Sequence, residues 1–185
     1  MKSLLRPLGL GLAFSLASFT TMAEVSVGAK APAVTTPAEE LVLENNEVVY
    51  RDWAPTELTG KLRVVYHLNA EMGVDAINKP FVDSVEALKL SSDTFSMLTV
   101  LNVADSSYFV KSMAQGDFEA KREEYVESEF IWDEDAGVRD SWGLADEGSS
   151  VTIVSKDGQV LAHKDGKLTA EEVQQFVAVI QDNLK

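Results

Sequence analysis

The chain has 185 residues, with 16 Lys and Arg against 30 Asp and Glu, a formal charge of -14, and no cysteine. The missing thiol excludes thiol–disulfide exchange, thiol peroxidase chemistry, cysteine proteolysis and Cys-ligated zinc. The carboxylate excess repels phosphate backbones and anionic lipid, so no nucleic-acid partner is expected.

The first 23 residues read as a secretion signal. Lys2 and Arg6 supply a positive start, Leu8 to Phe19 is an uncharged apolar run, and Thr21 and Ala23 stand at the small-residue positions of a cleavage site. The run spans about 12 residues, whereas a membrane-crossing helix needs roughly 20. Cleavage near Ala23 is expected, leaving residues 24–185 as one domain in the periplasm, with no membrane insertion after cleavage. A chain of that length buries a core without disulfides.

Gly28 to Pro37, rich in Ala, Pro and Thr, reads as an extended lead-in. Glu40 to Tyr50 reads as two short strands broken at Asn45–Asn46, residues that tolerate left-handed turns. Trp53 to Gly60 reads as a turn with a short helical option at Pro55. Leu62 to Leu68 is rich in β-branched and aromatic residues and predicts a buried strand. Ile77, Phe81, Val85 and Leu88 recur at helical spacing, with the regular helix beginning near Asn78 or kinking at Pro80. Phe95 to Val103 predicts a second apolar strand. Ser106 to Glu127 predicts a helix with a break possible at Gly116. Phe130 to Trp132 reads as a short strand, followed by a turn through Gly137. Val151 to Val154 and Gln159 to Lys164 flank Asp157–Gly158, a strong hairpin signal. Thr169 and Glu172 form a capping box ahead of Val173, Phe176, Val177, Ile180 and Leu184 on one helical face. This order predicts an α/β fold with a mixed central sheet and helices on both faces.

Two segments resemble the thioredoxin-like superfamily. Gly60-Lys61-Leu62-Arg63-Val64-Val65-Tyr66-His67-Leu68 is similar to the strand leading into the active-site helix. Trp142-Gly143-Leu144 and Ser150 to Val160 resemble the closing hairpin, and Lys30-Ala31-Pro32 the usual entry. Across nearly all of residues 24–185 the chain resembles the YtfJ family of bacterial periplasmic proteins. That resemblance is most specific at Gly60-Lys61, Val103-Ala104-Asp105, Ser149-Ser150-Val151 and Lys164-Asp165-Gly166 through Gln175. It implies a thioredoxin-like fold and an exported location, and it supplies no catalytic residues. Where redox relatives carry their cysteine pair, this chain has Glu71-Met72-Gly73-Val74-Asp75-Ala76. Where they carry a cis-proline, it has Ser149 and Ser150.

Candidate binding residues follow from strand ends, because open α/β sheets gather ligands at the carboxyl ends of their strands. These are His67, Asn69, Glu71, Asp75, Asn102 and Asp105. Asn69, Glu71, Asn102 and Asp105 could line a polar cleft or simply cap the helix that follows each strand, and helix capping is favoured. His67 is a possible metal ligand or base, but it has no second ligand at suitable spacing and is favoured as structural. His163 is expected to be ordinary surface. The stretch Asp117 to Asp135 holds nine carboxylates against Lys121 and Arg122, and Asp133, Asp135 and Gly137 mimic only the start of a calcium loop. A turn beside a solvated helix is favoured there. Trp53, Trp132 and Trp142 are expected in the core or at its rim. The leading expectation is a binding or accessory protein without catalysis or cofactor, taking another periplasmic protein or polypeptide at the Asn69–Asp75 surface. The rival is a cysteine-independent enzyme or metal binder using His67, Asn102 and Asp105.

Overall fold

The computed structural model describes residues 24–184. The secretion signal expected over residues 1–23 lies outside them. Among the described residues, seven strands form one sheet: β1 (Ala38–Glu44), β2 (Glu47–Trp53), β3 (Leu62–Asn69), β4 (Phe95–Asn102), β5 (Glu129–Asp133), β6 (Ser149–Val154) and β7 (Val160–Asp165). Their spatial order is β2-β1-β5-β4-β3-β6-β7. The central β5, β4 and β3 run parallel, and the hairpins β1–β2 and β6–β7 add antiparallel strands at either side. The hairpin β1–β2 turns at Asn45 and Asn46, both at positive φ, as their short polar side chains permit.

Four α-helices among the described residues cover the sheet: α1 (Lys79–Glu86), α2 (Tyr108–Glu124), α3 (Gly137–Trp142) and α4 (Ala170–Asp182). Strand alternation sends β3 residues Val64, Tyr66 and Leu68 to one face, and Val65 and His67 to the other. The first face packs on α1, α2 and α4, through Phe81, Val85, Phe118, Phe176 and Ile180. The Phe81 and Phe176 rings meet edge to face at 6.1 Å and join α1 to α4. The second face packs on α3 and the lead-in, through Val25, Val34, Val138 and Trp142. Helices therefore lie on both faces, three against one.

The helix at Asn78 begins without a kink. A single 3-10 turn, Val74–Ala76, precedes it, and Pro80 sits in the first turn of α1, where its missing N–H costs nothing. Asn78, almost fully buried, donates to Ser149 Oγ and to the Gly166 carbonyl, both at 3.0 Å, and accepts from Leu168 N–H at 2.8 Å. One amide thus ties the start of α1 to β6 and to the approach to α4. The capping box at Thr169 and Glu172 is present.

Two sequence expectations are corrected and one helix is added. Residues 54–61 contain no helical turn, so Pro55 serves an extended connection. Helix α2 runs through Gly116 unbroken, and a Cβ there would meet open space. Helix α3 begins where the turn read through Gly137 ends, over residues for which no element was predicted. It is six residues long, with only Val138 and Trp142 at helical spacing to mark an apolar face, so its stability is tertiary. Asp133, fully buried, accepts from Gly137 N–H at 2.7 Å and Val138 N–H at 2.9 Å. Gly137 has no room for a Cβ against the Thr36 carbonyl, and Ser141 Oγ accepts from Thr35 N–H at 3.0 Å.

Candidate functional site

The parallel strands β3 and β4 end in register at Asn69 and Asn102. Asn102 Nδ2 donates to Asn69 Oδ1 at 3.0 Å, and Asn102 Oδ1 accepts from Ala104 N–H at 3.0 Å. Asn69 Nδ2 then donates to Asp146 Oδ1 at 2.8 Å. A chain of side-chain amides therefore crosses the strand ends and reaches the loop before β6. The connection after β3 is held by Ala70 N–H donating to the Asn102 carbonyl at 2.8 Å and by Ser106 Oγ donating to the Ala70 carbonyl at 3.1 Å.

A cleft of about 400 Å³ opens above this network, lined by Asn69, Glu71, Met72, Asn102, Asp105 and Asp146, with Ser106 and Ser107 at one side. Glu71, Asp105 and Asp146 are exposed carboxylates. Asp105 is partly engaged, accepting from Arg139 at 2.7 Å. The lining contains acceptors and an apolar Met72 but no thiol and no imidazole. It suits hydrogen-bond donors and cations, and it holds no nucleophile paired with a base.

Four of the six sequence candidates thus come together: Asn69, Glu71, Asn102 and Asp105. The expected helix capping is corrected: the N-cap positions after these strands are Gly73, Asn78 and Ser107, and Asn102 instead closes a local turn by accepting from Ala104 N–H. His67 and Asp75 lie elsewhere. Asp75 sits exposed in the 3-10 turn at the mouth of a larger groove between α1 and α2. His67 lies under the sealed face of the sheet, between Val100 and Ser150. It is 3 % exposed. Burial, aided by the positive charge of Arg139, brings its pKa down to about 4, so the ring is neutral near pH 7. Its Nε2 makes no hydrogen bond among the described residues. His67, Asn102 and Asp105 do not form a common site.

Other expectations resolve in the same way. His163 is more than ordinary surface: Nδ1 lies 2.9 Å from Thr152 Oγ1 and Nε2 3.4 Å from Asp165. Asp133 spends both carboxylate oxygens on the start of α3, leaving none for an ion, and burial raises its pKa despite those two hydrogen bonds. Among the described residues no group of three or more His, Asp or Glu is placed to hold a metal ion. The three tryptophans are all buried. Glu71 to Ala76 forms the loop and turn leading to α1, while Ser149 and Ser150 are ordinary strand residues opposite Leu68 and His67.

Sequence reasoning missed Asp146, whereas Met72 lies within the expected Asn69–Asp75 surface. Asp146 is 77 residues from Asn69, and no local pattern marks it. Its place just before Ser149 and Ser150 was the available clue, because that loop meets the strand end in the fold that the chain resembles.

Comparison with known proteins agrees with this architecture. The thioredoxin domain of a thiol-disulfide oxidoreductase from Bacteroides vulgatus superposes with a TM-score of 0.52 at 14% identity, covering 84% of this chain and 97% of that one. A candidate protein disulfide isomerase from Bacteroides thetaiotaomicron gives 0.59 at 17% identity, covering 86% and 91%. At such identities the likeness establishes the fold alone, and the fold is thioredoxin-like. The uncharacterized protein YtfJ of Escherichia coli (strain K12) is 32% identical over 167 residues, 88% of this chain and 89% of its own length. An uncharacterized Haemophilus influenzae protein is 26% identical over 141 residues, 76% and 77% of the two chains. The family model described as a bacterial protein of unknown function (YtfJ_HI0045) matches residues 25–183, and the chain belongs to that family.

Proposed function

We propose that this protein is an exported, periplasmic binding or accessory module that takes another protein or polypeptide at the cleft over the ends of β3 and β4, without catalysis. The amide chain from Asp146 through Asn69 to Asn102 carries this reading. It fixes the cleft floor before any ligand arrives, and preorganised groups lose little entropy on binding. Glu71, Asp105 and Asp146 offer acceptors to backbone N–H groups and to Lys or Arg of a partner. The cysteine-free sequence and the lack of an imidazole in the cleft lining argue against a reactive centre. The leader with Lys2, Arg6 and the Leu8–Phe19 run supports export.

Crosslinking in intact cells, followed by recovery of this chain, tests the binding role. Asp105→Lys with Asp146→Lys, both outside the larger groove, is expected to remove specific adducts that the wild type forms. Undiminished adducts would exclude the cleft. N-terminal sequencing of the protein from a periplasmic extract is expected to begin at Glu24. Recovery of an uncleaved chain only from the cytoplasm would exclude export.

A further inference from the structure

The cleft is not the largest opening. On the face carrying α1 and α2, those helices stand apart and leave a groove of about 1070 Å³ above β4. Its floor includes Leu68, Met97, Thr99 and Leu101, and its walls include Val82 and Val85 of α1 and Met113 and Phe118 of α2. β4 is an interior strand, yet Met97 and Thr99 remain half-buried. Met72, Phe109, Met113 and Tyr125 are exposed around the groove, Phe109 at 72% and Met113 at 57%. Tyr66 also lines it, and the buried Tyr66 hydroxyl makes no hydrogen bond of normal geometry among the described residues. A contiguous apolar strip of this kind marks an interaction surface.

Charge and backbone chemistry select the occupant. The groove is bordered by seven carboxylates, including Asp75, Glu86, Asp117, Glu124 and Glu127, against Lys79, Lys89 and Lys121. Lys79 is already paired with Asp83 at 2.5 Å. Such a rim attracts cations and repels fatty-acid carboxylates and anionic headgroups. The floor strand β4 is hydrogen-bonded to β3 and β5 on both sides, so an extended peptide would find no free edge to pair with. A helix satisfies its own backbone and needs no edge. The eight residues of β4 span about 26 Å, the length of a helix of about 18 residues.

We infer that this groove receives an amphipathic helix of a partner polypeptide, with its apolar face on β4 and Lys or Arg along its flanks. The inference goes beyond the cleft and does not depend on it. Helix-in-groove recognition by apolar anchors with charged flanks is a general mode, and methionines such as Met72, Met97 and Met113 adapt to varied apolar partners.

The test uses the purified full chain and a dansyl-labelled peptide of about 18 residues, Leu and Lys in an amphipathic helical pattern. Saturable binding at micromolar peptide is expected, with the peptide gaining helical circular dichroism. Ala114→Trp, which fills the groove without altering charge, and Met113→Lys should each weaken binding about tenfold or more. Glu171→Lys, a charge reversal on distant α4, should change it less than about twofold. Thermal melts verify that each variant is folded. Equal binding of a Leu and Glu peptide of the same pattern would overturn the inference. So would undiminished binding by folded Ala114→Trp, or an equal loss in Glu171→Lys. Binding to anionic lipid vesicles without peptide binding would overturn it and assign the groove to a membrane surface. Adducts lost in the cleft variants while peptide binding persists would separate the two surfaces.

Discussion

The two faces of the sheet contrast sharply. Under α3 and the lead-in, the sheet is sealed, and it encloses polar atoms without partners among the described residues: His67 Nε2, Ser96 Oγ and Trp142 Nε1. Under α1 and α2 the surface is mainly apolar, yet it is left partly open above β4. These three polar groups are thus shut in where no ligand can reach them, while the open face exposes apolar groups around the one unpartnered Tyr66 hydroxyl. Buried polarity here belongs to the architecture, and exposed apolar surface is the better guide to binding. This is why His67, chemically the most suggestive side chain, lies outside both openings.

The contrast can be broken by stability measurements. Trp142→Ala removes the large side chain that anchors α3, 1% exposed, and should cost about 3–5 kcal/mol in urea unfolding. A loss below about 1 kcal/mol would mean that the sealed face is not a packed core.

His67 supplies the next largest effect. Its pKa falls from 6.5 to about 4 on folding, so between those values the unfolded chain binds the extra proton. Stability from this residue is full above pH 6.5 and is lost as pH falls toward 4, roughly 3 kcal/mol in all. His67→Gln should reduce the stability difference between pH 7 and pH 4 by about that amount. An unchanged difference would show that the imidazole protonates in the folded state.

Asn78→Ala removes three hydrogen bonds and leaves Leu168 N–H unpaired in the interior. A loss of about 2 kcal/mol is expected, read as a lower thermal midpoint. The smallest effect belongs to the open face. Met113→Ala, on a side chain more than half exposed, should alter stability by less than about 0.5 kcal/mol. A large loss there would make Met113 a structural residue and close the case for a free groove.

Much of the fold was legible because it is locally encoded. The β1–β2 hairpin follows from Asn45 and Asn46, the β6–β7 hairpin from Asp157–Gly158, and α4 from Thr169, Glu172 and its apolar stripe. Helix α3 was not legible, since a buried Asp133 and a close approach to Thr36 stabilise it. The candidate site was half legible. Asn69 and Asn102 end apolar strands and could be named from the strand-end rule, whereas Asp146 joins them only across 77 residues. Sequence placed Asp75 with them because it is near in number, and the 3-10 turn carries it to the other opening.

By itself the sequence determined what chemistry is impossible, through the absence of cysteine, and which segments become strands and helices, through periodicity, caps and turn residues. It also carried the family membership that the match over residues 25–183 establishes. Tertiary structure alone decided which polar residues reach solvent and that α1 and α2 leave a strip of β4 uncovered. Those outcomes depend on how distant elements pack against one another, and no local pattern of residues encodes the space left between two helices.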